Sequence, residues 1–263
     1  MMRARLVSAM VALSLVLLLV WLGDPLYSLV VVVAAIWGWV EFASLGPLRG
    51  RLDFLVFGAI PILAFLANAF FGGAWLAPAL VFVLLGTSAW VLLRSPVHDA
   101  AVQWGWTLAG VLYLGWTLGH FIALRHQTLG KEWVFFLLLT TFACDTMAFL
   151  VGRRWGRHKL ATTISPSKTW EGGLMGLVAS LVVGPTLVWL LRSPIPWWQG
   201  LALGGLVGVF AQLGDLMESA LKRGAGVKDA GTFLPGHGGI LDRMDSLLFS
   251  VVVLYYYVLW ILP

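Results

Sequence analysis

Nine times along this chain, about 20 residues pass with hardly a charged side chain: 6–22, 26–45, 52–71, 74–93, 101–124, 132–151, 172–191, 197–217 and 245–262. A helix of that length rises about 30 Å, the thickness of a bilayer's hydrocarbon core. No water reaches backbone N–H and C=O groups there, so each run must close its own hydrogen bonds as a helix. The period-two alternation of a membrane-barrel strand is absent from the sequence. With 60% hydrophobic and only 11% charged residues, against roughly 25% charged in soluble domains, a water-facing globule could not hide this surface. The 15 Trp residues suit the headgroup interface, where indole rings collect. The chain reads as an all-α integral membrane protein with about nine transmembrane helices.

The formal charge is +5. In a soluble protein that excess would point to nucleic acid; in a membrane protein it marks the loops that stay in the cytoplasm. With the N-terminus inside, 14 of the 17 Lys and Arg residues fall in cytoplasmic loops, and only Arg125, Lys131 and Arg192 fall outside. The basic start and the apolar run after it look like a signal peptide. No small-residue cleavage pattern follows, so the segment reads as a retained first helix. Cys144 is the single cysteine, which excludes an intrachain disulfide and a cysteine zinc site and leaves a small packing residue.

The chain changes style partway. Residues 1–131 give five spans with short loops; 132–263 give four spans and two longer cytoplasmic loops, 152–171 and 218–244, which hold 9 of the 17 basic residues. A polar, functional face is therefore expected on the cytoplasmic side of the C-terminal half. Gly200, Gly204 and Gly208 stand four apart, a spacing that lets another helix approach closely.

Carboxylates at membrane depth are costly unless paired, solvated or metal-bound, so each is a functional candidate. Asp145 lies in "TTFACDTMAFLVG", Asp215 and Glu218 in "AQLGDLMESALKR", Asp242 and Asp245 in "ILDRMDSLL". On a helix, each of the last two pairs shares a face. Glu218 also stands at ion-pairing spacing from Lys222. Oxygen donors without cysteine suit Mg²⁺, Mn²⁺ or Ca²⁺ rather than zinc, and Asp215 and Asp242 are the strongest ligand candidates.

The basic residues stand among glycines and small hydroxyls in "GRRWGRHKL", "SPSKTWEGG", "KRGAGVKDAG" and "PGHGGILDR". Glycine lets backbone N–H groups turn to an anion, and Lys or Arg supplies charge. No Walker-type P-loop occurs. Arg153, Arg154, Arg157 and Lys159 are read as anchors facing anionic lipid. His237, flanked by glycines and near Asp242, reads as a phosphate or metal-water contact.

The stretch "SALKRGAGVKDAGTFLPGHGGILDRMDS", Ser219 to Ser246, closely resembles the signature of the phosphatidate cytidylyltransferases, the CDP-diacylglycerol synthases. "CDTMAFLVGRRWGRHKLATTISPSKTWEGGLMG" is similar to the segments that precede it, with Ser167 where many members have lysine. The resemblance is specific over about 140–250. It implies transfer of the cytidylyl group of CTP to phosphatidic acid with Mg²⁺, in phospholipid biosynthesis, at the cytoplasmic face of a bacterial-type inner membrane. It also implies a homodimer. On this reading Asp215 and Asp242 bind metal, with Asp245 and Asp145 in support and a second ion allowed. Lys228, His237 and Arg243 join the catalytic set. Ser165, Lys168, Thr169, Lys222, Arg223, Gly236, Gly238 and Gly239 shape the contacts to CTP and phosphatidate phosphates. The rivals are a CTP-dependent polyprenol- or phytol-type lipid kinase and a membrane transporter. The absence of an inverted repeat counts against the transporter.

Overall fold

The computed structural model describes residues 14–231 and 238–262. Helix α1 occupies residues 14–22, so the predicted span 6–22 lies partly outside the described residues. The following helices are α2 (Leu26–Leu45), α3 (Leu52–Phe70), α4 (Leu76–Arg94), α5 (Val97–Gly110), α6 (Thr117–Arg125) and α7 (Gly130–Trp155). A π-helical stretch, Val111–Trp116, joins α5 to α6. After a hairpin of β1 (Lys159–Ala161) and β2 (Ser165–Thr169) come α8 (Trp170–Leu190), α9 (Trp197–Gly224) and α10 (Leu241–Ile261). Among the described residues, eight helical segments are long and apolar enough to cross a membrane, with α5 to α6 forming one of 29 residues. They match eight of the nine predicted spans. The protein is a helical integral membrane protein.

The chain forms two compact units. The first comprises residues 1–126 with 229–243, the second 127–228 with 244–263. Inside the first, the indole of Trp39 and the ring of Phe42 are wholly buried. The outward residues Leu63, Leu85 and Val102 are exposed. This is the pattern expected of a protein dissolved in lipid.

In the second unit, α8 and α9 meet through small residues. Gly204 packs on the Ser180 carbonyl, Gly208 on the Ser180 side chain, and Gly200 on the Pro185 backbone. The three glycines thus serve helix packing, as their spacing predicted. Cys144 is a buried packing residue; its Sγ lies 3.7 Å from the Gly208 carbonyl.

The helix ends depart from the hydropathy windows, and each departure has a local cause. The window 197–217 stops where side chains turn polar, yet α9 runs on to Gly224. Residues Glu218 to Lys222 are good helix formers. The stop is a Schellman turn: Gly226 has φ +70°, its N–H bonds Arg223 C=O at 3.0 Å, and Val227 N–H bonds Lys222 C=O at 3.0 Å. At 28 residues, α9 rises about 42 Å and outruns the hydrocarbon core. The first quarter of the expected loop 218–244 is therefore helix.

Helix α10 likewise begins at Leu241 rather than 245, which brings Asp242 into its first turn. The expected loop 152–171 contains the end of α7 and the hairpin, whose register pairs Lys159 with Thr169 and Ala161 with Ser165. Thr169 is buried, and its Oγ accepts Gly172 N–H at 3.2 Å as the N-cap of α8.

Candidate active site

Four carboxylates of the second unit lie on three helices: Asp145 on α7, Asp215 and Glu218 on α9, and Asp245 on α10. Strand β2 delivers Lys168 to them. Its Nζ lies 2.7 Å from Asp215 Oδ2, an ion pair. Ser219, one turn beyond Asp215, donates its hydroxyl to Oδ1 at 3.4 Å. Asp145 accepts a hydrogen bond from the Ser246 hydroxyl and lies within electrostatic range of Asp215 and Lys168. Asp245 interacts with Asp215, Glu218 and Asp145, and its Oδ1 accepts Ser246 N–H at 2.7 Å. Close approach of α9 to α10 makes this possible, since a Cβ on Gly214 would collide with the Asp245 carbonyl.

Glu218 is fully buried, and Lys222 Nζ stands 2.6 Å from its Oε2. The i,i+4 pairing that the sequence allowed is thus formed. Removing either partner would strand a buried charge.

Asp145, Asp215 and Asp245 repel one another wherever all three are ionised, and the low-dielectric surroundings sharpen that repulsion. A hard cation is the natural complement of such an oxygen-only set. Among the described residues no group of three or more His, Cys, Asp or Glu side chains is arranged to hold a metal ion by itself. Mg²⁺ does not need such a cage. It usually binds through one or two carboxylates and completes its shell with water and substrate phosphate. The donor set therefore fits Mg²⁺.

In the first unit, Asp242 is engaged with the backbone. Its Oδ2 accepts Ala230 N–H at 2.9 Å and Gly239 N–H at 2.7 Å, so it clasps the two sides of the segment between them. Pro235, Gly236 and His237 lie outside the described residues. Gly238 has φ +77° and sits against the Asp242 carboxylate. Arg243 is exposed in the first turn of α10.

The remaining predicted residues surround the hairpin and the end of α9. Ser165 is half-buried on β2. Arg223 donates Nε to Ile164 C=O at 3.2 Å and Nη1 to Val227 C=O at 3.1 Å, tying the hairpin turn to α9. Lys228, just past the Schellman turn, is exposed. Thr169, expected at a phosphate, is buried and caps α8.

Sequence reasoning passed over Glu41. It is buried on α2 and accepts Ile240 N–H at 3.1 Å and Leu241 N–H at 2.9 Å. The signal was available, because Glu41 is an acid inside an apolar span.

A catalogue of this kind, hard-cation donors and glycine-set cations at the ends of lipid-facing helices, suits an enzyme handling phosphates at a membrane. The sequence profile of the Cytidylyltransferase family matches residues 3–261, and the chain belongs to that family. It is similar to the phosphatidate cytidylyltransferase of Brucella abortus, 32% identical over 265 residues, covering 96% of this chain and 92% of that protein. The phosphatidate cytidylyltransferase of Bacillus subtilis is 40% identical over 179 residues, 68% of this chain and 66% of its own length. That of Staphylococcus haemolyticus is 39% identical over 176 residues, 67% of this chain and 65% of its own length. The matches to these last two span just under two thirds of those proteins.

Proposed function

We propose that the chain transfers the cytidylyl group of CTP to phosphatidic acid, giving CDP-diacylglycerol and pyrophosphate for phospholipid synthesis. One observation carries this reading: a phosphatidate cytidylyltransferase is 32% identical over 96% of the chain. A phosphate oxygen of the lipid attacks the α-phosphorus of CTP. The bond from that phosphorus to the bridging oxygen breaks, and its electron pair leaves with pyrophosphate. Phosphatidate is already ionised near neutral pH, so the residues have to position and neutralise rather than remove a proton.

Mg²⁺ bound here would neutralise phosphate charge and polarise the α-phosphorus. Asp215 is the proposed ligand in the second unit, with Asp145 and Asp245 in support; Asp242 is the ligand proposed in the first. Lys168 would exchange its ion pair with Asp215 for a phosphate. Lys222, Arg223, Lys228 and Arg243 supply further cations, and Ser165, Gly236, Gly238, Gly239 and His237 the small and polar contacts of the phosphate loop. Thr169 acts indirectly, by fixing the start of α8.

The charge sorting of the loops supports an N-terminus and an active face in the cytoplasm, in an inner membrane of bacterial type. The division into an N-terminal membrane region, 1–131, and a catalytic region, 132–263, belongs to the same reading. So does a homodimer, which rests on the family resemblance, since Gly200, Gly204 and Gly208 are occupied within the chain. The test is pyrophosphate release by detergent-solubilised protein given CTP. Release that requires both phosphatidic acid and Mg²⁺ is the expected result; CDP as the nucleotide product would favour the lipid-kinase alternative.

A further inference from the structure

We propose that Glu41 is a positioning residue for the transfer reaction: a membrane-helix carboxylate that holds the start of α10, and with it Asp242, in working geometry. The proposal rests on the cytidylyl-transfer reading for its kinetic part and on geometry alone for its structural part. Glu41 lies on α2 and is buried, with a side chain that no lysine or arginine ion-pairs among the described residues. Its two oxygens are divided between neighbouring amides. Oε1 accepts Ile240 N–H at 3.1 Å, and Oε2 accepts Leu241 N–H at 2.9 Å. The first N–H groups of a helix have no partner within it, and an anion there also complements the helix dipole. Glu41 thus caps α10 from a different helix.

The fit is close on two further sides. A Cβ on Gly231 or on Gly239 would run into the Glu41 carboxylate. Neither glycine has the left-handed φ that would by itself call for glycine. Both positions are therefore small because the carboxylate needs the room. The next residue in the turn after Leu241 is Asp242, whose Oδ2 accepts Gly239 N–H and Ala230 N–H. Three successive amides are thus held, Gly239 N–H by Asp242 and Ile240 and Leu241 N–H by Glu41. This gives the N-terminal helices a task beyond anchoring: they carry the fixed point for the polar segment that most resembles the family signature.

A test uses the purified full chain with Glu41→Gln, Glu41→Asp and Gly239→Ala. Glutamine replaces one acceptor oxygen with an NH₂ group that cannot accept, and aspartate draws the carboxylate back by one methylene. Amide hydrogen exchange at Ile240 and Leu241 should speed up in both Glu41 variants, whatever reaction the protein performs. In CTP-to-phosphatidate transfer, kcat should fall roughly 10-fold, and the Mg²⁺ concentration for half-maximal rate should rise, as for other residues that orient a metal ligand. A merely structural role would lower the yield of folded protein without moving the Mg²⁺ requirement. Gly239→Ala should give the same kinetic signature. Combining it with Glu41→Asp should cost less than the two single effects multiplied, because the shorter carboxylate makes room. Unchanged exchange at both amides would overturn the clasp. Faster exchange with unchanged kcat and Mg²⁺ requirement would overturn the positioning role. Wild-type protein unable to make CDP-diacylglycerol would sink the reading of the function, while the exchange measurement still decided the clasp.

Discussion

Glu41 and Asp242 are met by main-chain N–H groups, whereas Asp145, Asp215 and Asp245 stand within range of one another with Lys168 beside them. Both sets consist of carboxylates in a chain that keeps charge out of most of its length. Backbone donors fix an anion and quiet it; the first set holds the shape of a polar segment. Crowded anions have the opposite character, because their mutual repulsion persists until a cation or a proton completes them. The contrast separates carboxylates held in place by backbone donors, Asp242 among them with Oδ2 engaged as it is positioned for its proposed metal, from carboxylates crowded against one another.

The largest expected effect falls on the crowded set. Asp215→Asn should lower the Mg²⁺-dependent rate by roughly 10²–10³-fold, the scale of losing one preorganised electrostatic partner of a transition state. The protein should still fold, since asparagine keeps the shape and relieves the repulsion. Steady-state rates over a Mg²⁺ series, with circular dichroism as the folding check, decide this; full activity would break the contrast.

Glu218 and Lys222 test it from the side of stability. Lys222→Met leaves a wholly buried carboxylate without this cation and should cost about 3–5 kcal/mol, read as a lower midpoint of thermal unfolding in detergent. Adding Glu218→Leu should recover most of that loss, because an apolar pair of similar volume replaces a buried ion pair well. If activity stays low in the recovered double variant, Lys222 also serves a phosphate; if activity returns, the pair is purely structural.

The smallest effect belongs to Asp24, between α1 and α2. Burial disfavours its charge, but hydrogen bonds from Ser28 and His126 outweigh burial and hold its carboxyl below the ordinary value. A depressed folded-state pKa gives stability that is present above the unfolded value and lost as pH falls through the folded one. Asp24→Asn should therefore cost under about 1 kcal/mol at neutral pH. Its deficit against wild type should shrink on acidification, as followed by unfolding midpoints across pH.

Much of this was legible beforehand. Eight apolar windows recur as spanning helices because hydropathy responds directly to the solvent, and four of the five intramembrane acids singled out fall in one unit. Helix ends were less legible. Hydropathy ceases at residue 217, but helical hydrogen bonding continues until the Ala225–Gly226 turn, which a capping rule could have located. The early start of α10 was hidden for a different reason: its cap is Glu41, 199 and 200 residues away from the amides it serves. Thr169 was read by its motif as a phosphate contact, while its buried hydroxyl caps a helix; motif and cap use the same residue type.

Two labels distinguish cytidylyl transfer to a membrane phosphate from phosphoryl transfer. Purified protein in mixed micelles would receive phosphatidic acid and Mg²⁺ with CTP labelled at the α- or at the γ-phosphorus. Cytidylyl transfer would put α-label in the lipid phase and γ-label in released pyrophosphate, with neither transfer in the absence of phosphatidic acid. Label from the γ-phosphorus entering lipid, with CDP left in water, would contradict it.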